Sequence, residues 1–225
     1  MICFLGGWRL IALKEDHSRD LSVNCPVNTP KLPRSFYTRP NVVTVARDLL
    51  GKLLVVPAKD GERVSGVIVE TEAYRGPLDR AAHSYGGRRT KRTEPMYSIG
   101  GTAYVFFVYG MYFQFNVVTN AAETPHAVLI RAVEPLEGLG LMRERRAGQP
   151  DRNLTKGPGK LCIAMGIDRR LDGADLLGDR VWLEDRPAVR RSQIGSGPRI
   201  GIDYAGEWVE KPWRFWIKDN PYVSR

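Results

Sequence analysis

The chain has 225 residues, 43% hydrophobic and 26% charged, which is enough for one large domain with a buried core. Thirty-four Lys+Arg against 25 Asp+Glu give a net charge of +9, a surplus that attracts polyanions, nucleic acid foremost. The three cysteines, Cys3, Cys25 and Cys162, are odd in number and far apart. They suggest neither a zinc ribbon nor a disulfide framework, and they fit a reducing cytoplasm.

The apolar stretch Ile2 to Trp8 is interrupted by Gly6 and Gly7. It is too short to span a bilayer and lacks the order of a secretory signal. Residues 14–40 are polar and carry Pro26, Pro30, Pro33 and Pro40, so residues 1–36 are expected to form a peripheral arm and 37–225 the working domain.

Asn41 is placed to cap a helix through Val42, Val45, Ala46, Leu49 and Leu50, with Gly51 as its stop. Leu53 to Val56 reads as a strand, Asp60-Gly61 as a turn and Gly66 to Tyr74 as a second strand. Residues 76–101 form a long basic loop of the kind that is more often functional than idle. Thr102–Tyr109 and Tyr112–Thr119 are strands of a hairpin broken at Gly110-Met111. Ala127–Val133 is a further strand, and a helix is expected from Pro135 to about Arg146. After the Gly/Pro loop 147–159, Lys160–Met165 reads as a short helix. Short strands are expected at Val181–Leu183, Pro198–Ile202 and Trp213–Lys218. The expected fold is a single α+β domain: a mostly antiparallel curved sheet, flanking helices and a protruding hairpin.

Side chains alternate across a strand, so Glu70, Glu72 and Tyr74 fall on one face. Buried carboxylates are costly without partners, so that face is either a solvated edge or the wall of a site. His83 is either a surface residue or a hydrogen-bonding group for a base or sugar. Most aromatics of the hairpin must be core, but Tyr109 sits at its tip. There it either packs on a neighbouring loop or enters a base stack. Two basic loops are candidates for phosphate contact. One holds Arg88, Arg89, Lys91 and Arg92; the other runs Thr155-Lys156-Gly157-Pro158-Gly159-Lys160. The second lacks the spacing of a nucleotide-triphosphate loop.

Taken in order, several motifs resemble the alkyladenine (3-methyladenine, methylpurine) DNA glycosylase family. They are Glu70-Thr71-Glu72-Ala73-Tyr74, Ala81-Ala82-His83-Ser84, Tyr109-Gly110-Met111-Tyr112-Phe113, Arg131 to Gly138, Gly157 to Cys162 and Ala205-Gly206-Glu207-Trp208. The resemblance covers about residues 37–225. It implies a monomeric, cofactor-free and metal-free enzyme that everts a damaged purine from duplex DNA and hydrolyses its bond to the sugar, with no membrane association. It implies Glu72 as the base that activates water, with Arg131 beside the water and the phosphate. Tyr74, His83, Phe106, Asn116, Ile200 and Gly201 would line the base pocket. Tyr109 would be the intercalating wedge, and Arg88, Thr90, Lys156 and Lys160 would hold the backbone. The family's animal members carry a tyrosine where this chain has Phe106.

Two other readings are weighed. A non-catalytic nucleic-acid module, like the C-terminal domain of formyltransferases, would not need Glu72, Tyr74, His83 and Asn116 together. A carbohydrate glycosidase needs two carboxylates facing each other across a sugar, which same-face acids on one strand do not provide.

Overall fold

The computed structural model describes residues 29–224. Its organising element is β2 (Arg63–Tyr74), twelve residues buried along most of their length. On one side β2 pairs along its length with β5 (His126–Glu137). On the other side its first half pairs with β1 (Leu53–Pro57), and the stretch Glu70–Glu72 pairs with β8 (Arg214–Ile217). The hairpin of β3 (Ala103–Val108) and β4 (Tyr112–Thr119) joins β5. The short strands β6 (Trp182–Glu184) and β7 (Ile194–Gly197) complete the sheet against β1 and β8. All these pairings are antiparallel, in the order β3-β4-β5-β2-β1-β6, and the sheet curls into a half-barrel with helices at its flank.

Four helices are described: α1 (Arg34–Tyr37), α2 (Val42–Asp48), α3 (Leu139–Arg145) and α4 (Pro158–Met165). Helix α2 begins where the sequence predicts, because Asn41 accepts hydrogen bonds from the Val43 and Thr44 amides. Tyr37, Leu49, Leu54, Ile68, Phe115, Ile130, Met142 and Phe215 are fully enclosed in one core between the sheet and these helices.

The expected helix from Pro135 is corrected. Strand β5 runs on to Glu137, accommodating Pro135 at a register shift opposite Ser65 and Gly66. Ser65 and Arg63 both donate to the Glu137 carboxylate. Gly138, at φ 72°, then turns the chain into α3. The expected strand Pro198–Ile202 is corrected too. The strand is Ile194–Gly197, whose Gly195 lies against Trp216, where a Cβ would come within 2.5 Å of the indole. Residues 199 and 200 leave the ladder and turn their polar groups inward.

Residues 1–28, with Cys3 and Cys25, lie outside the described residues. Residues 29–36, grouped with the arm in the sequence reading, are tied to the domain. The Leu32 amide donates to Leu183 O, the Lys31 backbone forms an isolated antiparallel bridge with that of Glu184, and Arg34 forks onto Asp175. Among the described residues, no helix is long and apolar enough to cross a membrane.

Candidate active site

Where the hairpin, β2 and the segment after β7 converge, a cavity of about 210 Å³ opens to solvent. Its walls include Tyr74, His83, Phe106, Tyr109, Asn116, Arg131, Ile200 and Gly201, all expected from the sequence to belong to one site. The strands explain the convergence. Tyr104 stands opposite Asn116, and Asn116 opposite Leu129, so β3, β4 and β5 hand side chains to the same side.

Glu72 lies one layer behind this cavity, fully buried. Its carboxylate accepts from the Tyr74 hydroxyl at 2.8 Å and from the Ile200 amide at 2.8 Å, and it pairs with Arg131 at 3.1 Å. All three partners line the cavity. The carboxylate is therefore held directly behind the cavity wall by groups that face the cavity. Burial first, then the adjacent Glu72 charge, hold the Tyr74 phenol well above the usual tyrosine range. Burial works against the Arg131 charge, but Glu72 and Glu70 outweigh it and keep that pKa raised.

Glu70 is occupied elsewhere. One oxygen accepts from Arg131 Nε (3.1 Å) and Arg214 (3.0 Å), and the other accepts from the Ser224 amide (2.7 Å). Of these partners only Arg131 lines the cavity, so Glu70 does not serve as a second acid facing it, as a paired-acid glycosidase would need. The face is buried rather than solvated, and simple alternation does not describe it. Register shifts flank Glu70, at Ile68/Glu70 and Glu70/Thr71, and Arg131 ties the two acids into one network.

His83 accompanies Tyr104 and Phe106. Its Nδ1 lies 2.8 Å from the Tyr104 hydroxyl, and its ring meets Phe106 edge-on at 4.6 Å. Burial first, then the charges of Arg92 and Arg88, lower its pKa to about 4, so the imidazole is neutral at physiological pH. Asn116 is buried and donates to Tyr104 O. The guanidinium of Arg92 lies over the Phe106 ring at 5.1 Å.

Tyr109 is 78% exposed at the hairpin tip. Tyr109 (φ 55°) and Gly110 (φ 69°) are both left-handed, and the Met111 amide donates to Val108 O. Tyr109, Gly110 and Met111 form the three-residue connection between the paired Val108 and Tyr112.

The expected backbone contacts are more scattered. Arg88 and Thr90 are exposed on the loop that carries His83. Lys160 is exposed on α4, whereas Lys156 is half-buried and already donates to Pro221 O. Gly159 is required for packing: a Cβ there would lie 2.8 Å from the Tyr112 ring. Among the described residues, no group of three or more His, Cys, Asp and Glu is arranged to hold a metal ion.

Sequence reasoning missed Tyr104, Met96 and above all Arg199. That buried guanidinium forks onto the buried Asp79, donates to Ala73 O and lies 4.7 Å from the Tyr74 ring centroid and 5.2 Å from that of Trp213. It holds the pocket aromatic from behind while its neighbour Ile200 reaches Glu72. No motif marks it; the only signal is an arginine where the sequence predicts a strand.

Residues 35–221 match the family described as Methylpurine-DNA glycosylase (MPG). A Bacillus licheniformis protein named "Putative 3-methyladenine DNA glycosylase" is 52% identical over 200 residues, which cover 89% of this chain and 99% of the relative. Relatives of the same name from Alkaliphilus oremlandii and Desulfitobacterium hafniense are 48% and 50% identical, over 87% and 86% of this chain and 99% and 98% of their own. The chain belongs to the methylpurine-DNA glycosylase family.

Proposed function

We propose that this enzyme hydrolyses the N-glycosidic bond of damaged purines in duplex DNA, 3-methyladenine among them, as the first step of base excision repair. Alkylated and deaminated purines, including 7-methylguanine, hypoxanthine and ethenoadenine, form the substrate range. The observation that carries the reading is Glu72, buried, hydrogen-bonded by Tyr74 and the Ile200 amide and ion-paired with Arg131, three groups that all face one aromatic-walled cavity.

A stacked purine is inaccessible at C1′, so the nucleotide is everted first, at a cost of a few kcal/mol that is least for a weakly paired lesion. Tyr109, exposed at the hairpin tip, fills the vacated stack. The exposed Arg88, Thr90 and Lys160, with Lys156, hold the backbone. The base enters between Tyr74, His83 and Phe106. A purine made cationic at N3 or N7 gains from aromatic faces and leaves as a neutral base.

As the C1′–N bond breaks, the sugar acquires oxocarbenium character, which the negative Glu72 favours. A water aligned by Arg131 and Glu72 attacks C1′, and Glu72 takes its proton. Asn116 narrows the pocket against the exocyclic amine of guanine. Ile200 and Gly201 form the backbone edge beside the water.

Glu72→Gln tests the reading. Release of methylated purine or hypoxanthine from duplex DNA, read by alkali cleavage, should be abolished, while lesion-duplex binding persists. Wild-type release rates in that variant overturn it.

A further inference from the structure

A second exposed tyrosine shares the cavity mouth. Tyr204 is 69% exposed, yet it lines the same cavity as Tyr109. Burial raises its pKa, against the opposing charge of Arg199.

The turn that carries Tyr204, Asp203–Trp208, is firmly seated. Ile202 and Ala205 are buried with Ala81, and the Tyr204 hydroxyl donates to Ala81 O at 3.4 Å. A large aromatic braced at its hydroxyl and held out at a pocket mouth offers a stacking platform, because every nucleobase offers a π-face. Its charged neighbours oppose a phosphate contact. Asp203 and Glu207 are exposed on the same turn. Arg80 is the cation beside them, its guanidinium 3.3 Å from where a Cβ on Gly206 would sit.

We propose that Tyr204 is a second aromatic contact to DNA, stacking on a base of the lesion-bearing strand that flanks the everted nucleotide. The inference rests on the base-excision reading above. It gives the enzyme two aromatic contacts from different elements: Tyr109 from the hairpin, and Tyr204 from the turn beyond Ile200.

The test is single-turnover excision of hypoxanthine from duplex DNA by the wild-type protein, Tyr204→Ala and Tyr204→Phe. Tyr204 is mostly exposed, so both variants should fold. Tyr204→Ala should raise the half-saturating enzyme concentration roughly 10-fold and leave the maximal rate within about twofold. Tyr204→Phe should match wild type. The salt dependence of half-saturation should keep its slope, whereas each lost phosphate contact lowers it by about 0.9. With tetrahydrofuran residues in place of both flanking bases, wild type and Tyr204→Ala should converge.

An unchanged half-saturation in Tyr204→Ala overturns the inference, as does a lower salt slope. So does a loss that persists without flanking bases. If Tyr204→Phe fails as Tyr204→Ala does, the hydroxyl brace on Ala81 is the operative contact and the stacking role is wrong. A wild-type protein that releases no base instead sinks the base-excision reading itself.

Discussion

The backbone amide of Ile200 donates to Glu72 Oε1 at 2.8 Å, joining positions 128 residues apart. The bond belongs to the main chain, so the identity of the side chain at 200 is secondary. Ile200 is exposed, and Ile200→Ala should change stability by no more than about 0.5 kcal/mol. It should also leave the Glu72 carboxylate held. Ile200→Pro removes the donor. A hydrogen bond to a charged group contributes about 1.5–3 kcal/mol, so base release should slow by roughly 10- to 100-fold. Single-turnover excision by the two variants checks this; equal rates would show that the amide does not orient the carboxylate.

Arg131 is the cation shared by Glu70 and Glu72. Arg131→Ala leaves the buried Glu72 without its cation while Glu70 keeps Arg214, and breaking a buried pair of this kind costs about 3–5 kcal/mol. For a chain of this size the thermal midpoint should fall by roughly 10 °C. Excision should fall with it, even at temperatures where the variant remains folded. A melting curve that overlays wild type would mean that Glu72 finds another partner.

His83 has a folded-state pKa lowered to about 4, against an ordinary value near 6.5. Between these values the unfolded chain binds a proton that the folded chain refuses, so stability rises with pH across that window. The contribution is intact above about 6.5 and is lost as the pH falls toward 4. His83→Gln should flatten this part of the curve of melting temperature against pH. The imidazole resonances provide a direct check, since the chain has only three histidines. A His83 titration midpoint near 6.5 would refute the lowered value.

How much of this was legible beforehand depended on the kind of signal. Local chemistry read well to within a residue or two: the Asn41 cap lies where expected, α2 ends at Asp48, short of the expected stop at Gly51, and the hairpin turn begins at Tyr109, one residue before the expected break at Gly110-Met111. Tyr74, His83, Tyr109 and Arg131 were legible because short motifs carry them, Phe106, Asn116, Ile200 and Gly201 only through the family resemblance, and the fold brings all eight to one cavity. Contacts that depend on distant partners were not legible. Pro135 looked like a helix start, yet pairing with Ser65 and Gly66 kept it in a strand. Arg199 finds Asp79 across 120 residues, and Ser224 finds Glu70 across 154. No periodicity announces such pairs, because only the closed sheet brings them together.

Tyr109 joins a local cost to an exposed position. Its φ of 55° is left-handed, where a residue with a Cβ is disfavoured by about 1–2 kcal/mol. Its ring, 78% exposed, recovers little of that by burial. Glycine adopts this conformation freely, so Tyr109→Gly should be neutral or slightly stabilising, with the melting temperature unchanged or raised. Tyr109→Ser keeps a Cβ and most of the strain. Both lack the ring, so both should capture the everted nucleotide less well. Stopped-flow fluorescence with ethenoadenine duplex should show faster return of the base to the stack in each. Stability and capture would then move independently at one position, as expected if the ring is kept for DNA rather than for folding. Wild-type capture kinetics in both variants would assign the hairpin tip no part in base eversion.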